Sequence, residues 1–383
     1  MRDVFVYESL RTPRGKARPG GGLHDVTPLT MLERLLDGLR ERTGIDSADE
    51  MVIGCAAQTG DQGANLARTA ALTSGFDVPG MSVNRFCASG IDAVRTAAAL
   101  VASGYAGSVV AGGVESVSRV PMFSDGGPLW SSPAGSIHMG TAADVVATLE
   151  GFTREELDLY GLRTQTLAAA AWAEGRYDRS LLRVNDLAHD EHVRPGRTLA
   201  DYAAMEPAFD DPEQDAVVAA MRPGLGTVRH LHTRGTSPSL CDAAGLVLVG
   251  ADLHHTTHLR PRARVVATAT ATADPVIMLT AGQSAVERAL ATAGLSADDV
   301  AVFEFAEAFA ALCLKFQRDL RVDDDRFNVN GGTIAMGHAF GATGALLITA
   351  CVDELERRAA RYGVAAVSGA AGSGSAIVLE RVA

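Results

Sequence analysis

Aromatic residues are scarce, cysteines are few, positive charge is in the minority, and the apolar runs fall short of a membrane span. Each shortage excludes something. Five cysteines (Cys55, Cys87, Cys241, Cys313 and Cys351) lie far apart with no CxxC pair, which rules out a disulfide framework or a cysteine metal site. Their odd number and wide spacing fit reduced thiols in the cytoplasm. The opening MRDVFVYESLRTPRG lacks the long apolar core of a signal peptide, so a cytoplasmic protein with no membrane association is expected. A formal net charge of -12 argues against a nucleic-acid surface and gives no general attraction for anions. Recognition of phosphate must then be local, through backbone N–H groups or a few arginines.

What remains is a globular composition, 47% hydrophobic and 21% charged, which leaves no case for disorder. At 383 residues the chain exceeds one ordinary core, so two like halves or a domain with an insertion are expected. The sequence supplies such a repeat. SADEMVIGCAAQTG (Ser47 to Gly60) matches SADDVAVFEFAEAF (Ser296 to Phe309), each after an amphipathic helical stretch and each running into an apolar strand. VNRFCASG (Val83 to Gly90) then matches VNGGTIAMGHAFGATG (Val329 to Gly344) as a strand-to-turn-to-helix passage. Both following helices are answered by an apolar, glycine-rich strand, SVVAGGVES in one copy and GVAAVSGAAGSGSAIVLE in the other. A duplicated unit of this kind predicts helices layered on buried sheets, an α/β fold.

Between the copies the composition changes to Pro, Asp, His and Arg, the mark of an inserted loop domain that carries specificity. DAAGLVLVGADL reads as a strand returning to the first half, and PRARVVATATATADP opens the second. The expected division is 1–118 for the N-terminal core half, 119–239 for the loop domain, 240–262 for the return, and 263–383 for the C-terminal core half.

Cys87 stands where an apolar strand turns into a helix, with Ile91, Val94, Ala98 and Val101 following at helical spacing. A thiol at a helix N-terminus meets unpaired N–H groups and the positive end of the dipole, which favour thiolate. Ala88, Ser89 and Gly90 keep the approach to sulfur open. Most free cysteines are small core residues, and the other four are read that way.

VNRFCASG resembles the nucleophile motif of thiolases, which cleave 3-ketoacyl-CoA or condense two acyl-CoA molecules. RTPRGK, GGVESVSRVPM and NVNGGTIAMGHAFGATGA also resemble thiolase signatures and occur in the family's order. The whole pattern is similar to the bacterial acetyl-CoA acyltransferases of fatty-acid oxidation. The resemblance implies the thiolase fold, five layers αβαβα from two duplicated halves plus a loop domain. It also implies a homodimer or homotetramer, with a hetero-complex with fatty-acid-oxidation enzymes as a further partner arrangement. Acyl-CoA and coenzyme A are the expected partners, with coenzyme A as substrate or product and no permanently bound cofactor or metal.

By the same resemblance His338 activates the nucleophile and helps bind the thioester oxygen, and Ala339 replaces the family's usual proline. Imidazole can take the thiol proton and, as a cation, face an oxyanion. Ala306 stands at the usual asparagine of Asn-Glu-Ala-Phe, ahead of Phe309, and a methyl group cannot orient a water in the oxyanion hole. Ser368 stands at the usual second cysteine, the carrier of the α-proton. The N–H of Ala370 is expected to join that of Cys87 in a second oxyanion hole. Pro238 stands at the usual CoA-contacting serine, leaving Ser237 and Ser239 to substitute, and His138 and Met139 match a substrate-lining stretch.

The expected function is an acyl-CoA acyltransferase with an acyl-enzyme on Cys87, cleaving 3-ketoacyl-CoA with CoA or condensing acyl-CoAs. The departures at Ala306, Ser368 and Pro238 raise the alternative of a catalytically reduced homologue that binds acyl-CoA or serves as a partner subunit. A variant of it passes the acyl group on, or hydrolyses it, without Claisen chemistry. His254, His255 and His258 have helical spacing but show no carboxylate pattern of a zinc site and are read as solvated surface.

Overall fold

The structure, a computed structural model, describes residues 2–132, 135 and 137–382. The first half runs β1 (Phe5–Arg11), β2 (Gly15–Lys16), α1 (Pro28–Thr43), β3 (Glu50–Gly54), α2 (Leu66–Ser74), β4 (Gly80–Val83), α3 (Ser89–Ser103) and β5 (Ser108–Ser116). Then come α4 (Met139–Glu150), α5 (Arg154–Ala173), α6 (Leu199–Ala203) and α7 (Pro212–Met221). The chain returns as β6 (Cys241–Gly250) and the short α8 (Leu253–Thr256). The second half is β7 (Ala263–Thr272), α9 (Ala281–Ala293), β8 (Val302–Phe305), α10 (Ala310–Leu320), α11 (Thr333–Met336), α12 (Phe340–Arg358), β9 (Tyr362–Gly369) and β10 (Ser373–Arg381).

The strand order shows the duplication. From the middle outward the first half reads β1-β6-β5-β3-β4 and the second β7-β10-β9-β8. The antiparallel and parallel pairings correspond, β5 with β6 and β9 with β10 antiparallel, β3 with β5 and β8 with β9 parallel. The halves meet through a short antiparallel contact, Phe5 opposite Arg264 and Val6 opposite Ala263. One expected element is reduced. Where β4 stands in the first half, the second has a single bridge between Phe303 and Phe327. The Asn328 side chain takes over part of the ladder there, accepting from Phe305 N at 2.8 Å and donating to Phe305 O at 2.9 Å.

Alternation along the strands builds the layers. On β6, Leu246 and Leu248 face Leu32, Leu35 and Leu36 of α1, whereas Val247 and Val249 face the opposite way. Those two join Ile91 and Val94 of α3 and Leu347, Ile348 and Val352 of α12. On β9, Ala365 and Val367 complete the same middle cluster, while Val364 and Ala366 pack outward on Val286 and Leu290 of α9. The result is helix, sheet, helix, sheet, helix, with α3 and α12 as the shared middle layer. The stretch Phe86–Ser103 is apolar and long enough for a membrane span by composition. Its Ile91, Val94 and Val101 are buried inside the protein.

The middle helices touch backbone to backbone. A Cβ on Gly90 would lie 2.7 Å from Gly341 O and 2.8 Å from Ala345 N, and one on Gly344 would lie 2.3 Å from Ile91 N. Gly90→Ala is expected to cost about 1–3 kcal/mol through overpacking, seen as a lower urea midpoint. An unchanged midpoint would mean that the two helices separate easily.

Candidate active site

The strand-to-helix turn at Cys87 is fixed from several sides. Phe86 has φ +49°, a conformation that side chains avoid. It is held by Asn84 Oδ1, which accepts from its N–H at 2.8 Å, and by Ser89 Oγ, which donates to its carbonyl at 2.6 Å. The turn lifts Cys87, 6% exposed, to the floor of a cleft of about 370 Å³. Ala56, Ala57, Phe340 and Ala370 line the cleft with it, and Met122, Phe123, Trp130 and Met139 form further wall. Trp130 packs edge-on against both Phe86 and Phe123, with centroids 5.7 and 4.6 Å apart.

His338 arrives from the second half. Its N–H donates to Ser239 O at 2.8 Å, and its carbonyl accepts from Cys241 N at 3.3 Å, so the returning chain holds it on both sides. Nδ1 is paired with Thr343 Oγ1 at 2.8 Å. Among the described residues Nε2 has no hydrogen-bond partner, which leaves it as the nitrogen that can exchange a proton.

Burial decides the protonation states. The Cys87 thiol is pushed up to about 12, first by desolvation and then by the charge of Glu115. The backbone N–H groups of Cys87 and Ala370 favour thiolate as expected, but burial outweighs them. His338 is pushed down to about 3 by burial, with Arg14 adding to the shift. The resting pair is a thiol and a neutral imidazole, and a thiolate forms only when a proton moves.

With this geometry in view, the comparisons are informative. The family model described as the thiolase N-terminal domain matches residues 4–224, and the thiolase C-terminal domain matches residues 259–381. The chain belongs to the thiolase family. It is an enzyme of the acyltransferase class. It is 35% identical over 405 residues to the 3-ketoacyl-CoA thiolase of Pseudoalteromonas translucida, covering 100% of both chains. It is 34% identical to the enzyme of that name from Klebsiella pneumoniae, again over 100% of both. Among solved structures, human mitochondrial 3-ketoacyl-CoA thiolase superposes with a TM-score of 0.88 at 28% identity, covering 100% of this chain and 99% of that one. Bacillus anthracis acetyl-CoA acetyltransferase gives 0.87 at 30% identity with the same coverage.

The remaining residues singled out by the thiolase resemblance fall into two groups. Ala370 and Met139 line the cleft. Ala306 is fully buried in the middle-layer cluster that also holds Cys87 and Phe340. Ser239 touches His338 through its carbonyl, and Ser237 Oγ is buried without a partner among the described residues. Ser368, read as standing at the position of the usual second cysteine, has its hydroxyl engaged away from Cys87. Its hydroxyl donates to Leu279 O at 2.6 Å and accepts from Gly282 N at 2.9 Å, so it staples β9 to the start of α9. A Cβ on its neighbour Gly369 would meet Ser373 Oγ at 2.8 Å, Arg85 O at 3.3 Å and Cys87 N at 3.5 Å. Successive strand residues face opposite sides. Phe309 packs edge-on with Phe209 and His232 and steadies the start of α10. His138 is exposed and holds Gln214 through its backbone N–H at 2.7 Å.

Sequence reasoning missed Thr343, Phe340 and Glu115, although GHAFGATG and GGVES were in view as motifs. It also missed that Asp252 brings a carboxylate within 4.8 Å of His254 and His255. That exposed group follows the far end of β6, about 30 Å along the strand from Cys241.

A histidine with a lowered folded pKa contributes stability that is present above its unfolded value and lost as pH falls through the folded one. The protein is therefore expected to lose stability between pH 6.5 and about 3. His192 shifts in the same direction, so His338→Asn should remove part of this slope, measured as urea midpoints at pH 7 and pH 5. An unaltered slope would mean that the imidazole is hydrated.

Proposed function

We propose that the chain moves acyl groups between carbon and coenzyme A through a thioester on Cys87, cleaving 3-ketoacyl-CoA with CoA or running the reverse condensation. The observation that carries this reading is the meeting at one sulfur of a turn from the first half and a glycine-rich strand end from the second. The N–H groups of Cys87 and Ala370 both face that sulfur, and such paired donors stabilise the oxyanion of acyl transfer. A role limited to binding acyl-CoA, or to a silent partner subunit, is not favoured by the relatives' names.

In the cleavage direction Cys87 Sγ attacks the 3-keto carbon, and its proton goes to His338 Nε2. The C2–C3 bond breaks, and the departing carbanion of acetyl-CoA takes that proton back from His338. In the second half-reaction His338 takes the proton of the incoming CoA thiol. The CoA sulfur then displaces Cys87 from the acyl carbon, and Cys87 recovers the proton. His338 carries the proton both times, and Ser368 supports the strand end that presents Ala370. Ala306 offers no side-chain donor, so the oxyanion depends on backbone N–H groups and the imidazolium. Met139 forms part of the acyl wall, and Ser237 and Ser239 lie on the segment that meets the CoA arm.

Residues 1–118 and 240–262 make up the N-terminal core half in this proposal, 119–239 the loop domain and 263–383 the C-terminal core half. A homo-oligomer is supported by β4, an end strand whose Met81 and Val83 are only half-buried. A cytoplasmic location is part of this proposal, and the free thiols support it. Coenzyme A acts as substrate and product.

Thiolysis of acetoacetyl-CoA by the purified chain, followed as loss of enolate absorbance, tests the proposal. Turnover should be abolished by Cys87→Ser and reduced at least about 100-fold by His338→Ala. Ser368→Ala should change kcat less than about tenfold, and a loss matching that of His338→Ala would return Ser368 to the chemistry. If acetyl-Cys87 forms but no carbon–carbon bond is cleaved, the function is acyl transfer alone.

A further inference from the structure

Glu115 is a fully buried carboxylate at the end of β5, and its partners come from both halves of the molecule. Oε2 accepts from Ala56 N and from Gly341 N, each at 2.9 Å. Oε1 accepts from Ala57 N at 3.2 Å and from Gln62 Nε2 at 2.7 Å. Ala56 and Ala57 are walls of the Cys87 cleft, whereas Gly341, the second residue of α12, closes the turn that begins at His338. The Cys55 thiol lies against Oε1 as well, at 3.7 Å, and since these contacts are donors, only a carboxylate satisfies them all. An amide in its place would turn an N–H against an N–H.

The loop they hold is strained. Phe340 has φ +27°, outside the regions open to an ordinary side chain. Strain of this kind persists only where the surroundings over-determine it. Here they do so on both sides, through the two backbone bonds of His338 and the Glu115 bond to Gly341. A Cβ at Gly341 would lie 2.8 Å from Glu115 Oε2, Ala56 N and Cys55 Cα, so the loop rests directly on the carboxylate. The Phe340 ring in turn stands edge-on to the His338 imidazole, with centroids 5.3 Å apart and planes at 88°. Ala339, with no ring to restrict it, leaves this loop dependent on its contacts for rigidity.

We propose that Glu115 is a positioning residue for the acyl transfer: it fixes the His338–Gly341 loop against the half that carries Cys87, and through Phe340 it orients the imidazole. This rests on Cys87 being the acylated nucleophile and His338 its base. Misplacement of a reacting group by about 1 Å costs on the order of 100-fold in rate, so loosening the loop is visible in the chemistry before it is visible in binding.

The test is a double-mutant cycle on the rate of Cys87 acetylation by acetyl-CoA in a single turnover, followed by the mass of the Cys87 peptide. Glu115→Gln alone should slow acetylation at least about tenfold, with the acetyl-CoA concentration for half-maximal rate changed less than threefold. In a His338→Ala background the same substitution should change the rate less than about twofold, because the base it positions is gone. Loss of the Glu115 charge also eases thiol ionisation, but that effect is common to both backgrounds and cancels in the cycle. Equal slowing in both backgrounds would assign Glu115 to general stability and overturn the proposal. A folded Glu115→Gln protein acetylated at the original rate would overturn it as well. Failure of the unaltered chain to acetylate Cys87 would instead reject the acyl-enzyme reading, and the positioning role with it.

Discussion

The site depends on how closely two helix N-termini approach. Helices α3 and α12 occupy equivalent places in the two halves, and Gly90 and Gly344 let their backbones meet without side chains between them. Cys87 precedes the first helix, and His338 precedes the second. Bringing the helix starts into contact therefore brings the turn that carries Cys87 and the turn that carries His338 close together, and Phe340, two residues after His338, lines the cleft with Cys87. The apolar faces of both half-sheets close over this middle layer, so hydrophobic burial and the assembly of the site are one event.

That burial has an electrostatic consequence. Removal from water raises the thiol and lowers the imidazole, so neither is charged at rest. The cleft holds a nucleophile with little intrinsic reactivity toward oxidants or stray electrophiles, because thiolate is the reactive form. In the proposed reaction, reactivity appears only when an acyl group reaches Cys87 and a proton can pass to His338. The N–H groups of Cys87 and Ala370 that act on the sulfur belong to the backbone, so the oxyanion donors of the proposed reaction do not depend on the side chains at Ala306 and Ser368.

Much of the fold was legible because its signals are periodic. The repeat of strand, helix and glycine turn announced the two halves, and β6 and β9 were visible as apolar strands. The missing fifth strand was not, since nothing in NVNGG shows that an Asn328 side chain substitutes for backbone pairing. At the site, Cys87 and His338 stood out by motif. The state of their protons did not, because burial is a property of the assembled layers, and it outweighs the N–H groups at the helix start. Ser368 shows the same limit: a substitution can be read at its position, but which side of the strand a hydroxyl faces cannot. Glu115 was in plain sight within GGVES, yet its meaning comes from Gly341, 226 residues away.

The place of β6 has a consequence for synthesis of the chain. In the sheet it lies between β5 and β1, but in sequence it follows the whole segment that carries α4 to α7. On a ribosome, β1 and β5 emerge early and wait with a one-strand gap between them until residue 250 is made. At about 5–20 residues per second that gap stays open for roughly 7 to 27 s after β5 is complete, exposing two apolar edges. The nascent first half is thus at its most vulnerable to mispairing during that interval, and it closes only when the long excursion ends.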